Sequence, residues 1–289
     1  MDTKKQIPKL AEPRNVTDRL EIHAELTKRL LVEFIRNEVR KFGFQRVVLG
    51  LSGGLDSALA ATLAAEALGP ENVVVLMLPY KTSSPESEGH ARLVIEKLGL
   101  PYDKIDITPM VEPLLEHYPE MSNLRKGNIF ARQRMICVFD RSAHEKALVL
   151  GTSNKTETLL GYTTWYGDNA ASIQPIGDLY KTQVRALARS VGVPQPILDK
   201  KPSADLWPGQ TDEAEMGLEY DVVDQVLYLL VDERLDPDRI VARGFSQTLV
   251  DKVIRTVTNM QFKRMTAVIA KVGSRTPGID FRYPRDWGH

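Results

Sequence analysis

The feature that most constrains this chain is a short β-branched run, Arg46-Val-Val-Leu-Gly50. It feeds into Ser52-Gly-Gly-Leu-Asp-Ser57 and then into an Ala/Leu-rich segment that ends at Leu68 before Gly69. A short apolar run of this kind reads as a strand, and unbranched Ala and Leu read as helix. The paired glycines between them permit a sharp turn. The same alternation recurs downstream, with strands expected at 73–78, about 102–107 and 147–150. Helices are expected at about 85–98 and in the stretch running to about residue 146. Strands separated by helices imply an α/β fold with a doubly wound, mostly parallel sheet covered on both faces.

Before this unit, Leu20, Leu26, Leu30, Leu31, Phe34, Ile35 and Val39 recur at helical spacing across 17–42, with Gly43 placed as a terminator. That spacing predicts one amphipathic helix. After Gly151 the pattern gives extra C-terminal helices at about 156–160, 180–191, 220–231, 246–258 and 262–271. Residues 200–215, rich in Pro, Gly, Asp and Glu, read as a long functional loop. Residues 1–16 read as a flexible arm and 272–289 as a tail, and no composition shift divides the 289 residues into two domains.

Charge and cysteine usage narrow the function. Lys plus Arg and Asp plus Glu both number 38, so no global field attracts a polyanion, which argues against nucleic acid. The apolar runs are far shorter than the ~20 residues of a membrane-spanning helix, and the basic N-terminus has no apolar segment behind it. A single cysteine, Cys137, excludes an intrachain disulfide and a thiolate zinc site, and a cytoplasmic location is expected. Cys137 lies among Met135, Ile136, Val138 and Phe139, where a buried thiol that takes no part in catalysis is expected. Five histidines, at 23, 90, 117, 144 and 289, show no metal-ligand spacing.

The chemistry concentrates in the glycine turn. At the carboxyl end of the first strand and the amino end of the next helix, glycines let the backbone approach an anion that the helix dipole favours. Ser52 and Ser57 add hydroxyls. Asp56 is at odds with an anion unless a cation such as Mg²⁺ bridges the two. The string also reads as a plain turn whose Ser and Asp cap a helix. The lysine of a Walker A loop is absent.

This string resembles the pyrophosphate loop of the ATP pyrophosphatase superfamily. Further motifs resemble, in order, those of the NAD⁺ synthetases. They are Lys126-Gly-Asn-Ile-Phe-Ala-Arg-Gln-Arg-Met135, Gly151-Thr-Ser-Asn-Lys-Thr-Glu157, Gly161-Tyr162, Tyr166-Gly-Asp168, Asp178-Leu-Tyr-Lys-Thr182 and Lys201-Pro-Ser-Ala-Asp-Leu206. The resemblance covers about residues 20 to 265. It implies a Rossmann-like, adenine nucleotide alpha-hydrolase-like sheet in which Gly50, Leu51, Ser52, Gly53, Gly54, Leu55, Asp56, Ser57, Thr152, Lys181 and Ser203 surround ATP. Asp56 and Lys181 are implied to be catalytic, and Asp56 and Glu157 to hold Mg²⁺. Asn128, Arg132, Trp165, Asp168, Ser172, Phe262 and Lys263 are implied to contact deamido-NAD⁺.

The implied reaction is amidation of deamido-NAD⁺ by ammonia through an acyl-adenylate, giving NAD⁺, AMP and pyrophosphate, in a homodimer. Another amide-forming ATP pyrophosphatase and a non-catalytic ATP-binding protein are the competing readings. Residues 200–215 would be a lid that orders with nucleotide, with Pro208 and Gly209 shaping its turn while Ser203 and Asp205 face the site. Two positions depart from the family pattern. Trp165 stands where many members carry lysine, and Ser172 where they carry aspartate, so the nicotinate end is expected to be recognised differently. Trp165 reads equally as an aromatic face for substrate or as core packing.

Overall fold

The strand-like runs pair side by side as a single parallel sheet. The computed structural model describes residues 16–41, 43–203, 205, 207, 210–277 and 280. Its first half runs α1 (Val16–Arg19), α2 (Ala24–Lys41), β1 (Arg46–Gly50), α3 (Leu55–Leu68), β2 (Val73–Met77), α4 (Pro85–Leu98), β3 (Tyr102–Lys104), α5 (Thr108–His117), α6 (Asn123–Glu145) and β4 (Ala147–Val149). Among the described residues, only helices follow as regular elements, with one isolated bridge between Leu150 and Ile173. The α-helices are α7 (Lys155–Leu160), α8 (Lys181–Ser190), α9 (Gln195–Asp199), α10 (Asp212–Met216), α11 (Tyr220–Leu227), α12 (Pro237–Val241) and α13 (Gln247–Asn259).

Strand order is β3-β2-β1-β4, with Val48 opposite Val74 and Val47 opposite Leu148. Because side chains alternate across a strand, β1 and β2 feed two cores. Val47, Leu49, Val73, Val75 and Met77 pack with α2, α3, α4 and α8 on one face. Val48, Val74 and Leu76 pack with α5 and α6 on the other. Helices on both faces make the doubly wound arrangement that the alternation predicts. A third core gathers Leu160, Tyr180, Tyr220, Val223, Leu227, Val250 and Val253 beneath α7, α11 and α13.

Three expectations are corrected. The single helix over 17–42 is two, because Leu20 packs into the third core while Val32, Ile35 and Val39 of α2 pack on the sheet. The chain must turn between these cores, and His23 Nδ1 accepts from Leu26 N at the start of α2. Leu26, Leu30 and Phe34, on the apolar stripe that the spacing predicts, are exposed. The helix expected over 262–271 is a 3₁₀ turn, Gln261–Arg264, followed by irregular chain in which Val268 and Val272 are almost fully exposed, so no core rewards a helix there. Within 200–215 a helix, α10, forms with Asp212, Glu213 and Glu215 in its first turn, where the dipole favours acids. Residues 1–15 of the arm, most of the tail, and Pro208 and Gly209 lie outside the described residues.

The order of the strands places the site. The chain moves from β1 outward to β2 and β3, then returns to the far side of β1 as β4, so the connections leaving β1 and β4 diverge. Such a switch point opens a crevice at the carboxyl ends of the strands.

Candidate active site

The loop after β1 bends at Gly53, whose φ of +73° suits glycine. The bend is pressed against α4, since a Cβ on Gly53 would stand 2.0 Å from the Ser87 carbonyl oxygen. Gly54 is the N-cap of α3, and no side chain bonds there. The first-turn N–H groups of α3 therefore lack a side-chain cap, beside a positive dipole end. Ser52 Oγ accepts from Gly54 N at 3.2 Å and lies 3.1 Å from Ser57 Oγ, which donates to Gly54 O.

Asp56, in that first turn, meets two residues from beyond β4. Lys181 Nζ lies 2.5 Å from Asp56 Oδ2 and 3.0 Å from Glu157 Oε1. Asn154 Nδ2 donates to Asp56 Oδ1 at 2.8 Å, while Asn154 Oδ1 accepts from Glu157 N, capping α7. Helix capping thus aims Glu157 and locks Asp56 with one side chain. Lys181 is buried. Burial opposes its charged form, but Asp56 and Glu157 outweigh this and hold its ammonium above the ordinary lysine range. Burial is also the leading influence on Glu157, whose carboxyl is pushed up to about 7 despite Lys181. Two carboxylates facing one ammonium leave surplus negative charge, which together with burial favours proton uptake at Glu157.

A cavity of about 1150 Å³ extends from this cluster to α6 and the 161–168 turn. It exceeds the ~300 to 1,000 Å³ of ordinary ligand pockets. Of the implied ATP residues, Gly50, Leu51, Ser52, Gly54, Leu55, Asp56, Ser57, Thr152, Lys181 and Ser203 line it, while Gly53 supports the turn from behind. Asn128, Arg132, Trp165, Asp168, Phe262 and Lys263 line the other end.

Several of these side chains already have partners. Arg132 donates through Nε and Nη2 to Trp165 O, and Asn128 Oδ1 accepts from Thr164 Oγ1. Asp168 accepts from Thr164 N and Thr163 Oγ1, closing the turn. Lys263 Nζ donates to Gly161 O and Thr163 O, both at 2.7 Å, and burial pulls its ammonium below the usual range. Trp165 stacks on Tyr166 with ring centroids 4.7 Å apart and meets Phe262 edge-on at 5.5 Å. Tyr166 carries a φ of +58°, a left-handed conformation of the kind concentrated at functional sites. Ser172 does not join the lining: its Oγ accepts from Val149 N and ties the following segment to β4.

Residues that sequence reading passed over complete the site. Asn154 was signalled by its spacing to Glu157, an Asn-x-x-Glu capping pattern. Asp212 was hidden in the acidic stretch read as loop. It is buried, accepts from Tyr220 Oη through Oδ2, and leaves Oδ1 without a hydrogen-bond partner among the described residues, beside the cavity. Burial raises its carboxyl above the usual range. Asp205 accepts from Ser84 N and Ser87 Oγ at the start of α4, joining 200–215 to the element that supports Gly53.

A parallel sheet with a switch-point crevice, an uncapped helix start after a glycine turn, and a buried carboxylate–ammonium cluster define a nucleotide-binding α/β protein with the adenine nucleotide alpha-hydrolase fold. Comparison with known proteins specifies which. The chain belongs to the NAD synthase family, which it matches over residues 27–267. It is 56% identical over 262 residues to the NH(3)-dependent NAD(+) synthetase of Chlorobaculum tepidum, spanning 91% of this chain and 95% of that one. Among solved structures, the NMN synthetase of Francisella tularensis superposes with a TM-score of 0.77 at 32% identity, covering 86% of this chain and 99% of that one. The NH3-dependent NAD synthetase of Campylobacter jejuni gives 0.74 at 32% identity, covering 86% and 100%.

Proposed function

We propose that this protein uses ATP to amidate the nicotinate carboxylate of deamido-NAD⁺ with ammonia, giving NAD⁺, AMP and pyrophosphate. The observation that carries the reading is the convergence of Asp56, Lys181 and Glu157 at the start of α3, in a cavity that continues to a second, aromatic end. A carboxylate is a poor acyl donor, so attack on the α-phosphate must first give it AMP as a leaving group. That step needs positioning and charge neutralisation more than a covalent enzyme intermediate.

ATP lies along the residue 50–57 turn, with Thr152 and Ser203 flanking it. The α3 dipole and the Lys181 ammonium face the phosphates. The donor set fits Mg²⁺: the Asp56 and Glu157 carboxyls flank Lys181 Nζ and both line the cavity, and Mg²⁺ takes one or two carboxylates, with phosphate and water completing its shell. Asp56 and Glu157 would hold the ion, and it would supply neutralisation of phosphate charge. Asp212, a cavity-lining carboxyl that burial shifts upward, is the acceptor for the protons that ammonium sheds as it becomes an amide.

The dinucleotide lies along α6, where Arg132 and the Trp165, Tyr166 and Phe262 rings offer charge and stacking surface. Lys263 acts indirectly by pinning the 161–163 carbonyls. Residues 200–215 serve as a lid hinged by the Asp205 contact to α4. Met110 and Leu114 on α5, Tyr118 just beyond it, and Ile136 and Phe139 on α6 are exposed apolar residues, and they support a homodimer through that pair of helices. A cytoplasmic location agrees with the lone, buried cysteine.

The test is purified protein with ATP, Mg²⁺ and ammonium, offered deamido-NAD⁺ or nicotinate mononucleotide. NAD⁺, AMP and pyrophosphate in equal amounts support the reading. Preference for the mononucleotide would move the chain to the product class named for the F. tularensis neighbour.

A further inference from the structure

Asp224 of α11 is fully buried, outside the cavity lining, and behind the catalytic cluster. Its Oδ1 accepts from Thr156 Oγ1 at 2.6 Å. Its Oδ2 accepts from both Thr182 N at 2.8 Å and Thr182 Oγ1 at 2.9 Å. Thr156 Oγ1 in turn accepts from Lys181 N at 3.0 Å. Thr156 precedes Glu157 in the first turn of α7, and Thr182 follows Lys181 in the first turn of α8. One carboxylate therefore satisfies unpaired first-turn donors of α8 and orients the threonine hydroxyl that joins α8 to α7. Three donors converge on it, a set that an acceptor-only carboxylate matches and an amide does not.

We propose that Asp224 is a positioning residue for adenylation, fixing the starts of α7 and α8 so that Glu157 and Lys181 reach Asp56 together. The proposal rests on the reading that these three groups handle the ATP phosphates. Asp224 touches neither substrate nor metal. Its influence runs through Thr156 and Thr182 to residues one position away on each helix.

The test compares Asp224→Asn, Thr156→Val, their double variant and Lys181→Met in the NAD⁺-forming assay, with thermal melts of each. Asp224→Asn preserves volume but sets an NH₂ against a donor, so it is expected to fold. Its kcat should fall on the order of 10- to 100-fold, the scale of a small misplacement of catalytic groups. The KM for deamido-NAD⁺, bound at the far end, should stay at the wild-type value. Because both single changes cut the same link, the double variant should lose little more kcat than Asp224→Asn alone. Losses that multiply, or a KM effect without a kcat effect, would overturn the positioning role. Wild-type kcat in Asp224→Asn beside an inactive Lys181→Met would overturn this proposal alone. An active Lys181→Met would instead overturn the reading of the site beneath it.

Discussion

Gly53→Ala isolates how the nucleotide turn is held. The added methyl would lie 2.0 Å from Ser87 O, 2.9 Å from its carbonyl carbon and 3.1 Å from Ala91 N, all backbone atoms of α4 that no rotamer change can move. Side-chain carbons essentially never approach closer than 3.0 Å, so the turn and α4 must separate by about 1 Å. A left-handed φ adds ~1 to 2 kcal/mol for alanine, and the overpacking ~1 to 3 kcal/mol. Gly43→Ala is the control. Its φ is +75° but nothing lies within 4 Å, so it carries the backbone cost without the clash. Chemical denaturation should show Gly53→Ala losing about 2 to 5 kcal/mol, and Gly43→Ala only about 1 to 2. A shift of about 1 Å at the phosphates should lower kcat/KM for ATP about 100-fold in Gly53→Ala alone. Equal stability losses in the two variants, or full activity in Gly53→Ala, would refute the argument that α4 sets the turn.

Lys181→Met strands two carboxylates against each other. It should cost about 3 kcal/mol, the low end for a broken buried pair because both acids keep some water, and pyrophosphate release should cease. Retained stability by denaturation would show that the cluster needs no ammonium. Glu157 gives a pH signature. Its carboxyl rises from 4.5 to about 7 on folding, so the native state binds the proton more tightly. Its stabilising contribution is complete below pH 4.5 and is lost as pH rises through about 7. Calorimetry should find this decline in wild type and its absence in Glu157→Gln, and parallel curves would contradict the shift. Arg132→Ala should raise the KM for deamido-NAD⁺ about 10-fold, roughly 1.4 kcal/mol, with little change for ATP. A larger effect on ATP would place Arg132 at the wrong end of the cavity.

The sheet was legible because β1, β2 and β4 are β-branched or apolar runs buried on both faces, and such runs have few alternatives. The turn at 52–57 was legible because only glycine suits its bend. What escaped depends on contacts made far along the chain. The break between α1 and α2 arises because neighbouring stretches serve different cores, which local spacing does not encode. Residues 262–271 carry helical spacing but meet no packing surface, so periodicity misled. The resemblance implies that Lys263 contacts deamido-NAD⁺, but not that its Nζ donates to the Gly161 and Thr163 carbonyls, which lie 100 residues or more earlier in the chain. Asp212 and Asp224 were unmarked because an acid in an acidic stretch, or one on an amphipathic helix, looks like solvated surface until burial is known.

The proposed reaction turns on activation of the acceptor carboxylate by its transfer to AMP. Deamido-NAD⁺ labelled with ¹⁸O in its nicotinate carboxylate, incubated with the protein, ATP, Mg²⁺ and ammonium, tests this most directly. Mass spectrometry of the nucleotide products should find one labelled oxygen in AMP and the other in the amide of NAD⁺. Unlabelled AMP, or ADP and labelled phosphate in its place, would contradict the acyl-adenylate.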